Sequence, residues 1–270
     1  AYTTSPVHNL ETWLDYAKKV EDSGADSFAI KDMAGILKPY DAFELVTALK
    51  DKLSIPIHMQ CHATTGMSTA SNLKAIEAGI DNIDTSISSM SMTYGHSATE
   101  TLVSMFSDRE ADLGLDINLL GEISDYFRVI REKYSEFEGS LKGVDSTMLI
   151  KQVPGGMLSN LESQLKTINQ QDKLEKIKDE IAKVREDFGY PPLVTPVSQI
   201  IGAQSLLNVT ENSKYGSLTS ETKKLVLGAY GTLPGKVKDE IVKKASEDPP
   251  EQENERKLEE IAEELKTICS

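Results

Sequence analysis

The chain has 270 residues, with 43 acidic against 29 basic side chains and a formal net charge of -14, which excludes a surface that tracks phosphates by lysine and arginine density, so nucleic acid is not an expected partner. Hydrophobic residues make up 39% and charged residues 27%, enough apolar material for a buried core in one or two domains, and general disorder is excluded. Two cysteines, Cys61 and Cys269, cannot make a disulfide framework, AYTTSPVHNLETW lacks the basic and apolar regions of a secretory leader, and no stretch reaches about 18 uninterrupted apolar residues. The expectation is a cytoplasmic chain that meets a membrane only peripherally, through another subunit.

In chain order, the first 110 residues alternate short apolar or β-branched runs with amphipathic segments, the pattern of βα units on a parallel sheet. Ala1 to Thr4 reads as the end of a strand. Asn9 to Ser23 reads as a helix burying Leu10, Trp13, Leu14, Ala17 and Val20, Ser27 to Lys31 as a strand, and Tyr40 to Leu53 as a helix burying Phe43, Leu45, Val46 and Leu49. Ile55 to Cys61 and Asn82 to Thr85 are the next strands. Ser68 to Ala78 and Thr99 to Phe106 are the next helices, the second opened by a capping box between Ser97 and Glu100. Equivalent points recur about 26 residues apart, the length of one strand, one helix and two loops. That makes about four βα units where a closed (β/α)8 barrel needs eight. The expected fold class is α/β, the C-terminal half of a TIM barrel followed by a mostly helical domain.

Beyond Phe106 the periodicity is helical. Ile117, Leu120, Ile123, Phe127, Ile130, Tyr134 and Phe137 form one apolar stripe. Leu174, Ile177, Ile181 and Val184 mark a further helix, Val194 to Leu207 another, and Leu258, Ile261, Leu265 and Ile268 the last. The polar, proline-bearing run SEDPPEQENER at 246 to 256 is the natural joint. Residues 1–112 are therefore expected to form half a barrel, 113–245 a helical region, and 246–270 a linker and acidic helix.

Parallel sheets bind ligands beyond the carboxyl ends of their strands, so those ends are the places to search. Alternation puts Ser27, Ala29 and Lys31 on one face of the first strand and Phe28 and Ile30 on the other. Lys31 then points into the barrel, where an unpaired ammonium is costly; it either reaches solvent, pairs with Asp32 or Asp84, or has a chemical purpose. In His58-Met59-Gln60-Cys61-His62 the same rule puts His58, Gln60 and His62 on one face and Cys61 on the other, as a small core residue. His58 and His62 lie about 13 Å apart along an extended strand, too far to share an ion unless the strand end curls. The third place is Gln152-Val153-Pro154-Gly155-Gly156-Met157-Leu158-Ser159-Asn160-Leu161, a Pro-Gly-Gly turn into a helix whose first turn presents Ser159 and Asn160. It suits an anion, or simply a connection with its cap.

Taken in order, YTTSPVH at 2 to 8, IKDMAG at 30 to 35, HMQCHATTG at 58 to 66, DTSISSMS at 84 to 91, YGHSATE at 94 to 100, QVPGGMLSNLESQL at 152 to 165 and GYPPLVTPVSQIIGAQSLLNV at 189 to 209 resemble one family, over nearly the whole chain to about Ala245. It is the carboxyltransferase domain of biotin-dependent enzymes, which includes oxaloacetate decarboxylase α subunits, pyruvate carboxylase B subunits and transcarboxylase 5S subunits. The resemblance implies carboxyl transfer between carboxybiotin and a 2-oxo acid, decarboxylating oxaloacetate or carboxylating pyruvate, over a divalent metal such as zinc, cobalt or manganese. Lys31 matches a lysine that the family carbamylates, turning a cation into a ligand. The family's two histidine ligands match Gln60 and His62, and only His62 keeps the imidazole.

Ser159 matches a hydroxyl that carries a proton between biotin and the enol of pyruvate, with Gly155, Gly156 and Asn160 in the substrate or biotin region. The resemblance also implies biotin on another segment or subunit, a preceding barrel half that supplies an aspartate ligand and a substrate arginine, and membrane decarboxylase subunits in some members; an open half-barrel exposes sheet edge and apolar surface, so it is expected to pair with that missing half or with another copy as a homo-oligomer. On this view the chain is a C-terminal portion of the subunit. Two other functions compete: a metal-dependent aldolase or lyase on the same barrel, which needs both histidines, and a noncatalytic assembly module whose site has decayed at Gln60.

Overall fold

The computed structural model describes residues 1–107, 113–138, 141–145, 148–151, 153–167 and 169–250, the side chain of Ser159 excepted. Three parallel strands, β1 (Phe28–Asp32), β2 (Ile57–Cys61) and β3 (Asn82–Ile83), lie side by side in chain order. Their register pairs Lys31 with Gln60 and Asp32 with Cys61, so the ends of β1 and β2 are level. Helix α1 (Leu10–Asp22) precedes β1, α2 (Pro39–Lys52) and α3 (Ser68–Glu77) are the crossovers, and α4 (Thr99–Phe106) follows β3. Asn9 starts α1 by accepting from Thr12 N, and Pro39 starts α2, where its missing N–H has no helical partner to lose.

The two faces of the sheet differ. In β1, Ile30 and Asp32 are buried while Ala29 and Lys31 are exposed. Ile30, Ile57, Met59 and Cys61 share a core with Leu45, Val46 and Leu49 of α2; burying a large aliphatic side chain of this kind contributes about 1.5–3 kcal/mol.

Several expectations are corrected here. Ala1 to Thr4 is not a strand: Tyr2 N donates to Lys31 O at 2.7 Å, but Ser5 and His8 then close into a turn around Pro6, which has no N–H for a ladder. Val20 and Phe43 are each 40% exposed rather than core, because α2 turns Ala42, Leu45, Val46 and Leu49 inward and Ala17 is the fully buried residue of α1. The capping box is not formed. Ala98 precedes α4 without a side-chain cap, Ser97 is buried among Ser68, Thr69 and Asn72, and the Glu100 carboxylate accepts from Ser88 N instead, at 2.9 and 3.0 Å.

Past α4 come α5 (Ile117–Lys133), α6 (Met148–Lys151), α7 (Gly155–Thr167), α8 (Leu174–Asp187), α9 (Val197–Thr210), α10 (Ser220–Val226) and α11 (Asp239–Glu247). Leu161, Leu165, Ile181, Phe188, Ile201 and Ile241 build a second core that reaches back to Ala34 and Ile36 in the loop after β1. Buried Arg185 fastens the N-terminal segment to this layer, donating to Thr3 Oγ1 at 2.6 Å and Thr4 O at 3.0 Å, and to Pro191 O at 3.2 Å. The expected stripe is helical from Ile117 to Lys133 but not to its end, since Phe137 lies in a short 3-10 turn beyond α5, and it does not enter a core: Ile117, Ile123, Phe127 and Phe137 are exposed. Its buried contacts are polar, Ser124 with Ser88 and Ser89, and Arg131 with Ser89 O. The expected joint begins inside α11, and residues 251–270, with the expected helix at Leu258 to Ile268 and Cys269, lie outside the described residues. Among the described residues no helix is long and apolar enough to cross a membrane.

Candidate functional site

One buried carboxylate fixes the end of β1. Asp32 Oδ1 accepts from Ile36 N at 3.1 Å, and Oδ2 accepts from Leu37 N at 2.7 Å and from the Cys61 thiol at 3.4 Å. Burial pushes the Asp32 pKa up against the opposing pull of these N–H groups. The Cys61 thiol is raised well above its ordinary value, by its own burial first and then by the neighbouring carboxylate. The loop after Asp32 crosses β2 so closely that a Cβ on Gly35, at φ +67, would lie 2.5 Å from His62 O. Thr65 Oγ1 donates to the Gly35 carbonyl and holds the crossing. In sequence Asp32 offers itself only as a partner for Lys31; its role here, satisfying the turn, is visible only in the fold.

From this anchored strand Lys31 emerges exposed, opposite Gln60, without the ion pair to Asp32 or Asp84 that is one alternative in sequence. It lines a cavity of about 670 Å³ together with Tyr2, Trp13, Pro191 and Tyr230. Gln60 Nε2 donates to Asp84 Oδ2 at 3.2 Å, which leaves its Oε1 as the acceptor. His62 Nδ1 lies 2.7 Å from Tyr94 O. A carbonyl only accepts, so in the neutral ring Nδ1 carries the proton and Nε2 the lone pair. His58 does not join this group; its Nε2 is 3.5 Å from Asn82 Nδ2 of β3, at the other end of β2.

A further imidazole, carried on a loop and not at a strand end, stands here. His96 packs against His62 with ring centroids 4.6 Å apart and planes at 50°. Its pKa is lowered by burial first and by the charges of His62 and Lys31, against the pull of Asp84. Its one sequence signal is YGHSATE, which reads as a loop and a cap. Among the described residues no three His, Cys, Asp or Glu side chains form a metal-holding group, so a cation here would also need donors from Lys31 or Gln60.

The Pro-Gly-Gly segment is arranged differently from the expectation. Gly155 and Gly156 belong to α7, because Pro154 O accepts from Met157 N at 3.0 Å and from Leu158 N at 3.1 Å, and this moves Ser159 and Asn160 into the second turn. Gln152 and the side chain of Ser159 lie outside the described residues. Gly156 and Asn160 line a cavity of about 220 Å³ with Ser198 and Gln199 of α9 and with Met33, two residues beyond Lys31.

Residues 4–127 match a family model described as HMGL-like, and residues 148–269 match one described as a conserved carboxylase domain. The B subunit of pyruvate carboxylase from Methanocaldococcus jannaschii is 47% identical over 244 residues, covering 90% of this chain and 43% of the relative. The methylmalonyl-CoA carboxyltransferase 5S subunit of Propionibacterium freudenreichii subsp. shermanii is 44% identical over 248 residues, covering 91% and 49%. Among solved structures, the carboxyl transferase domain from Rhizobium etli pyruvate carboxylase with pyruvate has a TM-score of 0.89 at 27% identity, covering 99% of this chain and 48% of that one. The chain spans a little under half the length of these relatives.

Proposed function

The chain belongs to the family of biotin-dependent carboxyltransferase domains, and on that footing we propose that it contributes a site that moves a carboxyl group between carboxybiotin and a 2-oxo acid, either decarboxylating oxaloacetate or carboxylating pyruvate. One observation carries the reading: Lys31, Gln60 and His62 leave register-matched strands side by side, with His62 Nε2 kept available for a ligand. The match of residues 148–269 to a carboxylase model supports carboxyl transfer over an aldolase or lyase.

A divalent cation such as zinc, cobalt or manganese fits these donors once Lys31 is carbamylated. The Lys31 ammonium releases a proton, the amine nitrogen bonds to carbon dioxide and releases a second, and a side chain of charge +1 becomes a carbamate of charge −1. That converts a repelling group into an oxygen ligand beside the His62 imidazole and the Gln60 carbonyl. When bound, the metal supplies polarisation of the substrate carbonyl that favours an enolate. The Tyr94 carbonyl fixes the His62 ring, and Asp84 fixes the Gln60 amide, the role outer partners play around ligands. Ser159 relays one proton between biotin N1 and the enol of pyruvate, receiving one as it hands on another, and so returns unchanged. Gly155, Gly156 and Asn160 border the space for biotin or substrate.

Biotin arrives on another segment or subunit. The reading also takes in a preceding barrel half, a homo-oligomer, and a cytoplasmic setting in which membrane decarboxylase subunits attach in some members. The test is elemental analysis together with biotin-dependent release of pyruvate from oxaloacetate, using the intact protein and its biotinyl partner. Wild type is expected to retain about one transition metal per chain, and Lys31→Ala to lose both metal and transfer. Wild-type metal content in Lys31→Ala overturns the carbamate role, and a folded, metal-free wild type overturns the reading.

A further inference from the structure

We propose that His96 is a second imidazole donor to the cation at this site, filling the place that Gln60 leaves without one; the proposal rests on the metal site put forward above. The loop that carries His96 is built around His62. Met92 and Thr93, at φ 64 and 51, are consecutive non-glycine residues in the left-handed region, a strained arrangement that persists only where surrounding structure enforces it. Met92 N donates to His96 O and Gly95 N to Met92 O, both at 2.7 Å, and Ala63 N donates to Gly95 O at 2.8 Å. The backbones of His62 and His96 pair as an antiparallel bridge. Tyr94, in the same loop, supplies the carbonyl that sets the tautomer of His62. One loop therefore both orients the first imidazole and delivers the second.

The spacing of the two rings permits joint ligation. An imidazole nitrogen about 2.1 Å from an ion puts the ring centroid about 3.2 Å away, so two such rings have centroids about 4.5 Å apart at the right angle of an octahedral ion and about 5.2 Å apart at the tetrahedral angle. The observed separation is 4.6 Å. His96 Nε2 is shielded from solvent and has no hydrogen-bond partner among the described residues, a condition that buried nitrogens rarely tolerate. Gln60, by contrast, turns its amide nitrogen to Asp84 and has only an oxygen to offer.

The experiment titrates Mn(II) alone into the metal-stripped intact protein in bicarbonate buffer. Free Mn(II) is followed by electron paramagnetic resonance, and coordinated nitrogens are counted by electron spin echo modulation. Wild type is expected to show two imidazole nitrogens. His96→Asn is expected to show one and to bind about tenfold or more weakly; Gln60→His in the same background is expected to restore both. A wild type with one nitrogen, unchanged in His96→Asn, overturns the role of His96 and leaves the site standing. Weaker binding at a constant single nitrogen marks a positioning residue and also overturns it. A wild type that binds no Mn(II) sinks the metal site itself. If His96→Asn does not fold, as judged by its melting, the wild-type nitrogen count alone decides.

Discussion

Replacing Asp32 by alanine strands two buried donors, the N–H groups of Ile36 and Leu37, which now bond to its carboxylate at 3.1 and 2.7 Å. Each unsatisfied buried group costs about 1–3 kcal/mol, so Asp32→Ala is expected to lose about 2–6 kcal/mol, against a total of roughly 5–15 kcal/mol for a typical protein. Asp32→Asn preserves the shape but has one acceptor oxygen, and its NH2 meets the second donor head on; the expected loss is about 1–3 kcal/mol. Urea unfolding followed by circular dichroism measures both. The pH dependence has a definite sign. Burial raises the native pKa of Asp32 above its unfolded value, so its contribution is full below the unfolded value and is lost as pH rises through the native one. Asparagine does not titrate, so the stability gap between wild type and Asp32→Asn should narrow as pH rises. An Asp32→Ala protein within about 0.5 kcal/mol of wild type, or a gap that widens with pH, refutes the reasoning.

Gly35→Ala should cost at least about 1–2 kcal/mol, because φ is +67 and the new methyl meets the His62 carbonyl, a backbone atom that cannot step aside; unchanged urea stability would show that the crossing is looser than described. His8 is held near pKa 4 by burial first and then by Arg185 and the N-terminal amine, below its ordinary 6.5. Its contribution to stability is therefore present above 6.5 and lost as pH falls toward 4. Trp13, the single tryptophan, stacks on His8 at 4.9 Å, so its fluorescence should change with a midpoint near 4 and the step should vanish in His8→Asn; a midpoint at 6.5 contradicts the burial of the ring. Ser159→Ala should keep its metal while turnover falls about 10²-fold, and equal turnover removes Ser159 from the proton path.

The sheet is legible in the sequence because its signals are local. Phe28, Ala29 and Ile30, and then Ile57 and Met59, are apolar or β-branched runs whose period-two alternation also tells which side chains leave the core face, placing Cys61 inside and Gln60 and His62 together. The α5 stripe shows the limit of periodicity: it correctly demands a helix, but whether a core meets that face depends on distant segments. His96 is illegible for a related reason. Its place depends on Met92 and Thr93 adopting left-handed backbone, which neither residue type favours. Asp32 is visible as an acid beside a lysine, but its true partners are N–H groups four and five residues on, and those exist only after the loop has folded back. In the Pro-Gly-Gly segment the glycines look like a turn, and only the bonds accepted by Pro154 O show that they already belong to the helix.

Cys61, fully shielded at the end of β2 with its thiol raised beside Asp32, gives the sheet a chemical clock. Alkylating reagents need an accessible thiolate, so iodoacetamide will mark this residue only during the intervals when the packing of α2 and the loop after β1 over the end of β2 opens. The rate at which Cys61 is labelled, resolved from Cys269 by peptide mapping, therefore times how often the packing beneath the site comes apart.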